Sequence, residues 1–277
     1  MLVFILFPSF LLYFHLTLCK KRSILYIIGS EKGHRKMGFV KLDVHTHTIA
    51  SGHATTATIT DMAKSAAANN LTLLGISDHG PATFGGGKPS YFRSLSHAQK
   101  ERFGIEMLYG AEVSILNTGG KLDLEDSVLK KLDYVIASIH MPIKKPGTVD
   151  ENTATYISAM KNPYVRIIGH CDDERYPIDH LTLVRAAMEH HVLLEINNSS
   201  LSPDGYRGDT RFNSLMILNL CSHFHYPVLL SSDSHGAKHI GDCKYAQKMA
   251  KLAEVPDGLI LNYSPSKFKS FLAERTC

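Results

Sequence analysis

VKLDVHTHTIASGH, residues 40–53, starts as a β-branched and aliphatic run and ends among histidines. Its first half, VKLDVH, has the character of a strand. Its second half places His45, His47 and His53 close to Asp43, where a core strand would carry apolar residues and a solvated loop would carry Lys, Glu, Gly and Ser. Residues i and i+2 of a strand share a face, so His45 and His47 can address one site.

The same pattern recurs along the chain. The apolar runs LTLLGIS (71–77), IEMLYGAEVSI (105–115), YVIASI (134–139), VRIIGH (165–170), VLLEINNS (192–199) and PVLLSS (227–232) each end in polar residues. Helical stretches are predicted between them near 60–70, 91–103, 123–132, 150–161, 179–191, 211–225 and 240–253, with one more short helix in the tail. Start signals lie at Thr58 or Thr60 and near Asp179. Seven nearly continuous apolar strands alternating with helices describe an α/β domain whose parallel sheet is buried on both faces. An open doubly wound sheet and a closed (β/α) barrel both satisfy that pattern. FGGGKP (84–89) has neither P-loop nor dinucleotide-fingerprint spacing.

The strand ends carry the chemistry. The first strand delivers His45 and His47, with His53 just beyond. The second delivers Asp78 and His79, the third Glu112, the fourth His140 and the fifth His170. The sixth ends in Glu195, Asn197 and Asn198, and the seventh in Asp233 and His235. Singly, each has a bland reading: a satisfied polar residue, a loop acid or a helix cap. Together, seven histidines and several carboxylates, Glu112 and Asp233 among them, at one end of successive strands point to a shared site, because the βα loops of a barrel converge there. Imidazole and carboxylate without thiolate suit Zn²⁺, Mn²⁺ or Fe²⁺ better than Mg²⁺ or Ca²⁺. Nine ligands exceed one tetrahedral site and suffice for two or three ions.

Composition narrows the field. The formal charge of +4 arises in residues 1–36, where six Lys/Arg face the single acid Glu31. Residues 37–277 hold the other 24 basic and 25 acidic side chains, leaving no electrostatic footprint for long nucleic acid. The five cysteines form no CxxC pair, which argues against a disulfide framework or thiolate zinc site and fits a cytoplasmic setting. Residues 1–22 are largely apolar and end in Lys20, Lys21 and Arg22, with the charge after the apolar run rather than before it. Two readings apply to 1–36: an overextended start with translation from Met37, which is favoured, or a membrane anchor with a cytoplasmic catalytic body. A single domain over 37–277 accounts for the rest.

The motifs DVHTHTIASGH, GISDHG, GAEV, SIH, GH and SSDSH, in that order, resemble the PHP (polymerase and histidinol phosphatase) superfamily, in particular its stand-alone bacterial phosphatase-like branch. The resemblance covers roughly 40–240. It implies a distorted seven-stranded (β/α) barrel with three divalent metal ions. One ion would be held by His45, His47, Glu112 and Asp233. A second would be held by Glu112, His140 and His170, and a third by His53, His79 and His235. It further implies hydrolysis of a phosphoester by a hydroxide bridging the metals. Asp43 and Asp78 are expected to orient ligand imidazoles, and Arg93, Arg175 and His239 to contact phosphate from the loops. The segments CDDERYPID (171–179) and PATFGGGKPSYFRSL (81–95) depart from the family pattern, so substrate preference does not transfer with the motifs. The expected function is a phosphomonoesterase acting on a small phosphorylated metabolite. A phosphodiesterase or nuclease, and a catalytically silent metal-binding module, are the competing readings.

Overall fold

A computed structural model describes residues 37–274. Ten strands are found there: β1 Leu42–Asp43, β2 Thr46–His47, β3 Leu73–Ile76, β4 Glu101–Arg102, β5 Ile105–Ser114, β6 Tyr134–Ser138, β7 Val165–Ile168, β8 Leu193–Asn197, β9 Val228–Ser231 and β10 Ser234–His235. The helices are α1 Ile59–Ala68, α2 Pro89–Leu95, α3 Asp126–Leu129, α4 Val149–Met160, α5 His180–Glu189, α6 Arg211–His223, α7 Lys244–Leu252 and α8 Pro265–Ala273. The described residues fall within one compact unit, Met37–Cys277. The apolar and basic stretch 1–36 lies outside the described residues. Among those described, no helix is long and apolar enough to cross a membrane.

Strands β1, β3, β5, β6, β7, β8 and β9 pair in that order, all parallel, and form a nearly closed barrel with helices around it. Their apolar residues, apart from the half-buried Leu108, are buried, as continuous aliphatic runs require when both faces of a sheet are covered. Thr58 and Asp61 cap α1 reciprocally, Thr148 and Glu151 do the same for α4, and Asp179 caps α5. These caps set where rim loops end and helices begin.

Three elements differ from the sequence expectation. The run 40–45 is not one strand: it breaks after Asp43 and resumes at Thr46. The freed Val44 carbonyl accepts from the Tyr134 hydroxyl at 2.6 Å, and Thr46 N donates to Ser77 Oγ at 3.0 Å. Tyr134 reaches Val44 across Gly75, where an added Cβ would lie 2.3 Å from its hydroxyl. The helix expected over 91–103 stops at Leu95. Glu101–Arg102 instead folds back on Ile105–Glu106 through Phe103 (φ 52°) and Gly104 (φ 74°), the paired positive φ of a tight hairpin. The helix expected over 123–132 shrinks to the four residues of α3.

The break in the first strand lets the barrel close twice. Below, Asn262 spans the gap between β1 and β9: its side chain accepts from Leu230 N (2.7 Å) and donates to Leu42 O (3.1 Å) and Leu230 O (2.6 Å). Above, β2 pairs with β10, setting His47 opposite His235. Asn262→Ala strands three buried backbone groups at the lower seam and is expected to destabilise by about 3 kcal/mol. Urea denaturation checks this: the midpoint should fall with unchanged slope, and a loss below about 1 kcal/mol would show that the seam closes without this amide.

Candidate metal centre

Glu112, near the C-terminal end of β5 and 1% exposed, lies where the ligand-bearing strand ends meet. His79 Nδ1 approaches its Oε2 to 2.7 Å and His47 Nε2 to 3.6 Å. Its Oε1 faces His170 Nε2 at 3.0 Å, His140 Nε2 at 3.2 Å and His45 Nε2 at 3.3 Å. Asp233 Oδ1 lies 3.3 Å from His47 Nε2 and 3.7 Å from His45 Nε2. The His235 ring stacks on His47 at 4.2 Å, and His53, which is exposed, lies 5.0 Å from His235 and 4.9 Å from His79 between ring centroids. All nine residues named from the sequence as metal ligands are thus neighbours.

Donor geometry separates a metal site from a hydrogen-bond network. His45 Nε2, His47 Nε2, His79 Nδ1, His140 Nε2, Glu112 Oε2 and Asp233 Oδ1 are all buried, and none makes a hydrogen bond. Orphaned buried polar atoms are costly and rare. Six at one place, with lone pairs that converge without aligning on each other, suit bound cations. Three overlapping triads have donor atoms near enough to share an ion: His45–His47–Glu112, His79–Glu112–His140 and His47–His79–His235. Their nitrogen and carboxylate donors match the preferences of zinc and its borderline neighbours.

The outer nitrogens of these rings fix their tautomers. His45 Nδ1 donates to Glu195 Oε1 at 2.6 Å, leaving Nε2 with its lone pair toward Glu112. His53 Nδ1 donates to Ser51 O, and His235 Nδ1 to Asp233 O. His140 Nδ1 meets Ser114 Oγ at 2.9 Å. Electrostatics agree. Burial by itself raises both carboxyls, yet Glu112 is held well below the ordinary carboxylate range by His45, His140 and His79, and Asp233 by His45 and Arg207. Burial, then His79 and His235, push His47 well below the ordinary imidazole range, which favours the neutral ligand form. Burial lowers His45 too, but Glu195, Glu112 and Asp233 outweigh it and raise it well above that range. Those carboxylates call for a cation at His45, whether proton or metal. Two of the nine sit on unusual backbone, His170 at φ 30° and Asp233 at φ 52°, as residues of functional sites often do.

The other candidates are spread more widely. Asp43 hydrogen-bonds to no imidazole among the described residues. It accepts from Ser232 N and Oγ and from Gly241 N, and so ties β1 to the loop after β9. Asp78 reaches His47 only through Ser51. Arg93 is exposed on α2. Arg175 is paired with Asp173 at 2.6 Å and lies over the Tyr206 ring. His239 is exposed, 3.9 Å from Asp242.

Two residues gain roles that their sequence context did not announce. Glu195 was visible as a rim acid at the end of a strand, but only the fold sets it against His45, His170 N and Asn197. Arg207, ten residues beyond β8, is 4% exposed. It donates to Asp233 Oδ2 at 3.0 Å and to Ser200 Oγ at 3.1 Å, leaving Asp233 Oδ1 turned to the histidines. A lone Arg in a Gly/Asp/Ser loop carries no such signal in the sequence.

A model of the PHP domain matches residues 43–199. The chain belongs to the PHP domain family. A protein of Clostridium novyi named "Probable phosphatase" is 39% identical over 234 residues, covering 84% of this chain and 95% of that one. Another so named, from Caldanaerobacter subterraneus subsp. tengcongensis, is 40% identical over 245 residues, covering 88% and 95%. In structure, this PHP chain is similar to histidinol phosphate phosphatase of Lactococcus lactis, solved with zinc, L-histidinol and phosphate. The TM-score is 0.56 at 20% identity, over 79% of this chain and 95% of that one. By family and by these relatives the protein is a phosphatase, a hydrolase of phosphoric ester bonds.

Replacing Glu195 with Gln removes the charge that orients His45, and divalent-metal affinity is expected to fall about 10- to 100-fold. Chelator competition reads this directly, and an unchanged affinity would mean that His45 needs no such partner.

Proposed function

We propose that this PHP protein is a metal-dependent phosphomonoesterase acting on a small phosphorylated metabolite, with up to three divalent ions of the Zn²⁺, Mn²⁺ or Fe²⁺ type. The observation that carries the reading is the convergence of buried, partnerless imidazole and carboxylate atoms on Glu112. In this reading His45, His47, Glu112 and Asp233 hold one ion. Glu112, His140 and His170 hold a second, and His53, His79 and His235 a third, with Glu112 shared. Bound there, such ions activate water near neutral pH and offset charge on phosphate oxygens.

The chain's own residues do the rest. Glu195 and Ser114 hold His45 and His140 with their inner nitrogens turned to Glu112. Arg207 fixes Asp233. Among the described residues a thiol nucleophile is disfavoured: Cys171, Cys221 and Cys243 are buried, and burial pushes each thiol up, away from the reactive thiolate. A small substrate is supported by the near-balanced charge of residues 37–277 and by the L-histidinol and phosphate bound to the Lactococcus lactis protein. The catalytic unit in this reading is 37–277.

Hydrolysis of nitrophenyl phosphate against bis-nitrophenyl phosphate, with Mn²⁺ or Zn²⁺ supplied, tests the proposal. The monoester should be strongly preferred, activity should vanish on chelation, and His140→Ala and Asp233→Ala should each lower kcat by at least about 10²-fold. Preference for the diester would replace this reading with a phosphodiesterase, and full activity in both variants would remove the metal centre from the mechanism.

A further inference from the structure

Asp78 is a hub rather than a cap. It is fully buried and accepts four hydrogen bonds: from Thr48 N (2.6 Å), Thr48 Oγ1 (2.8 Å), Ser51 Oγ (2.7 Å) and Tyr91 Oη (2.6 Å). Ser51, also fully buried, has one hydroxyl proton, and that proton goes to Asp78. Its oxygen is then an acceptor only. It takes His47 Nδ1–H at 2.9 Å and the backbone N–H of His79 at 3.1 Å. His47 therefore carries its proton on Nδ1, and Nε2 keeps the lone pair that faces Glu112 and Asp233. The chain of contacts begins on α2, anchored by buried Phe92 and Leu95.

We propose that Tyr91 and Ser51 are positioning residues for the metal centre, joined through Asp78 in a relay that holds His47 in its ligating tautomer. The inference rests on the metal-centre reading above. Tyr91 is a durable donor: burial, then the Asp78 charge, raise its phenol far above the ordinary range, so the hydroxyl keeps its proton. A simpler role is also open to Asp78, since Thr48 caps the short 3₁₀ turn Ile49–Ser51 and Asp78 holds Thr48. The two roles differ in what they couple. A turn clamp affects folding. A relay affects metal affinity, and its two ends are not independent.

The test is a double-mutant cycle in the full chain, stripped with chelator and titrated with Mn²⁺ by calorimetry. Ser51→Ala should weaken Mn²⁺ binding about 10- to 100-fold, and Tyr91→Phe by up to about tenfold. The double variant should bind no more weakly than Ser51→Ala alone, because Tyr91 acts only through Ser51. Melting of the metal-free variants supplies the second readout. Lower melting with unchanged Mn²⁺ affinity assigns the hub to the turn and overturns the relay. Losses that add in the double variant also overturn it, by giving Tyr91 another route. Failure of the unsubstituted chain to bind Mn²⁺ would overturn the metal-centre reading together with the relay, and is told apart from relay failure by that first titration.

Discussion

A single carboxylate organises this molecule. Glu112 is buried at the end of the longest strand with the nitrogens of four imidazoles within 3.3 Å. Burying an anion is costly unless opposite charge or donors meet it. Here they come from four separate strand ends, so the barrel must bring those ends to one point before the carboxylate is tolerable. The backbone of Glu112 shares in this: its N–H bonds to Ser77 O and Asp78 O, and its carbonyl accepts from Gly80 N. Side chain and main chain together lock β5 to the ligand-bearing end of β3.

Around that centre, five of the seven rings are held from behind, by partners of three kinds. Glu195 supplies a charge to His45, Ser51 a hydroxyl to His47, Ser114 a hydroxyl to His140, and main-chain carbonyls serve His53 and His235. The effect is common to all: one ring nitrogen is occupied and the other left free. Burial, then His79 and His235, keep His47 from adding charge to a crowded site, whereas His45 sits against three carboxylates. The barrel seam serves the same end. Asn262 closes it below and the β2–β10 pair above, and the upper closure sets His47 against His235.

Periodicity carried the parallel α/β architecture, because a strand covered on both faces must be apolar throughout. Local rules carried helix starts such as Thr58 and Asp179, because a cap is made within four residues. They failed at Leu95, where a short helix gives way to a hairpin whose pairing partner is β5, and at Val44, where the chain breaks because the Tyr134 hydroxyl, ninety positions on, replaces a strand partner. The candidate ligands were legible because histidine at strand ends has few other reasons to recur. Asp43 was legible as a rim acid, yet its partners, Ser232 and Gly241, lie about 190 positions away and belong to the seam.

By itself the sequence determined the class of fold, the rim on which chemistry gathers and the identity of the nine candidate ligands, since each of these depends on residue type and short spacing. Tertiary structure alone decided that Glu195 and Arg207 support His45 and Asp233, and that Tyr91 reaches His47 through Asp78 and Ser51. The physical reason is directional. A hydrogen bond forms only when donor and acceptor arrive within about 3 Å in the right orientation, and for groups brought together by barrel closure no local pattern encodes that meeting.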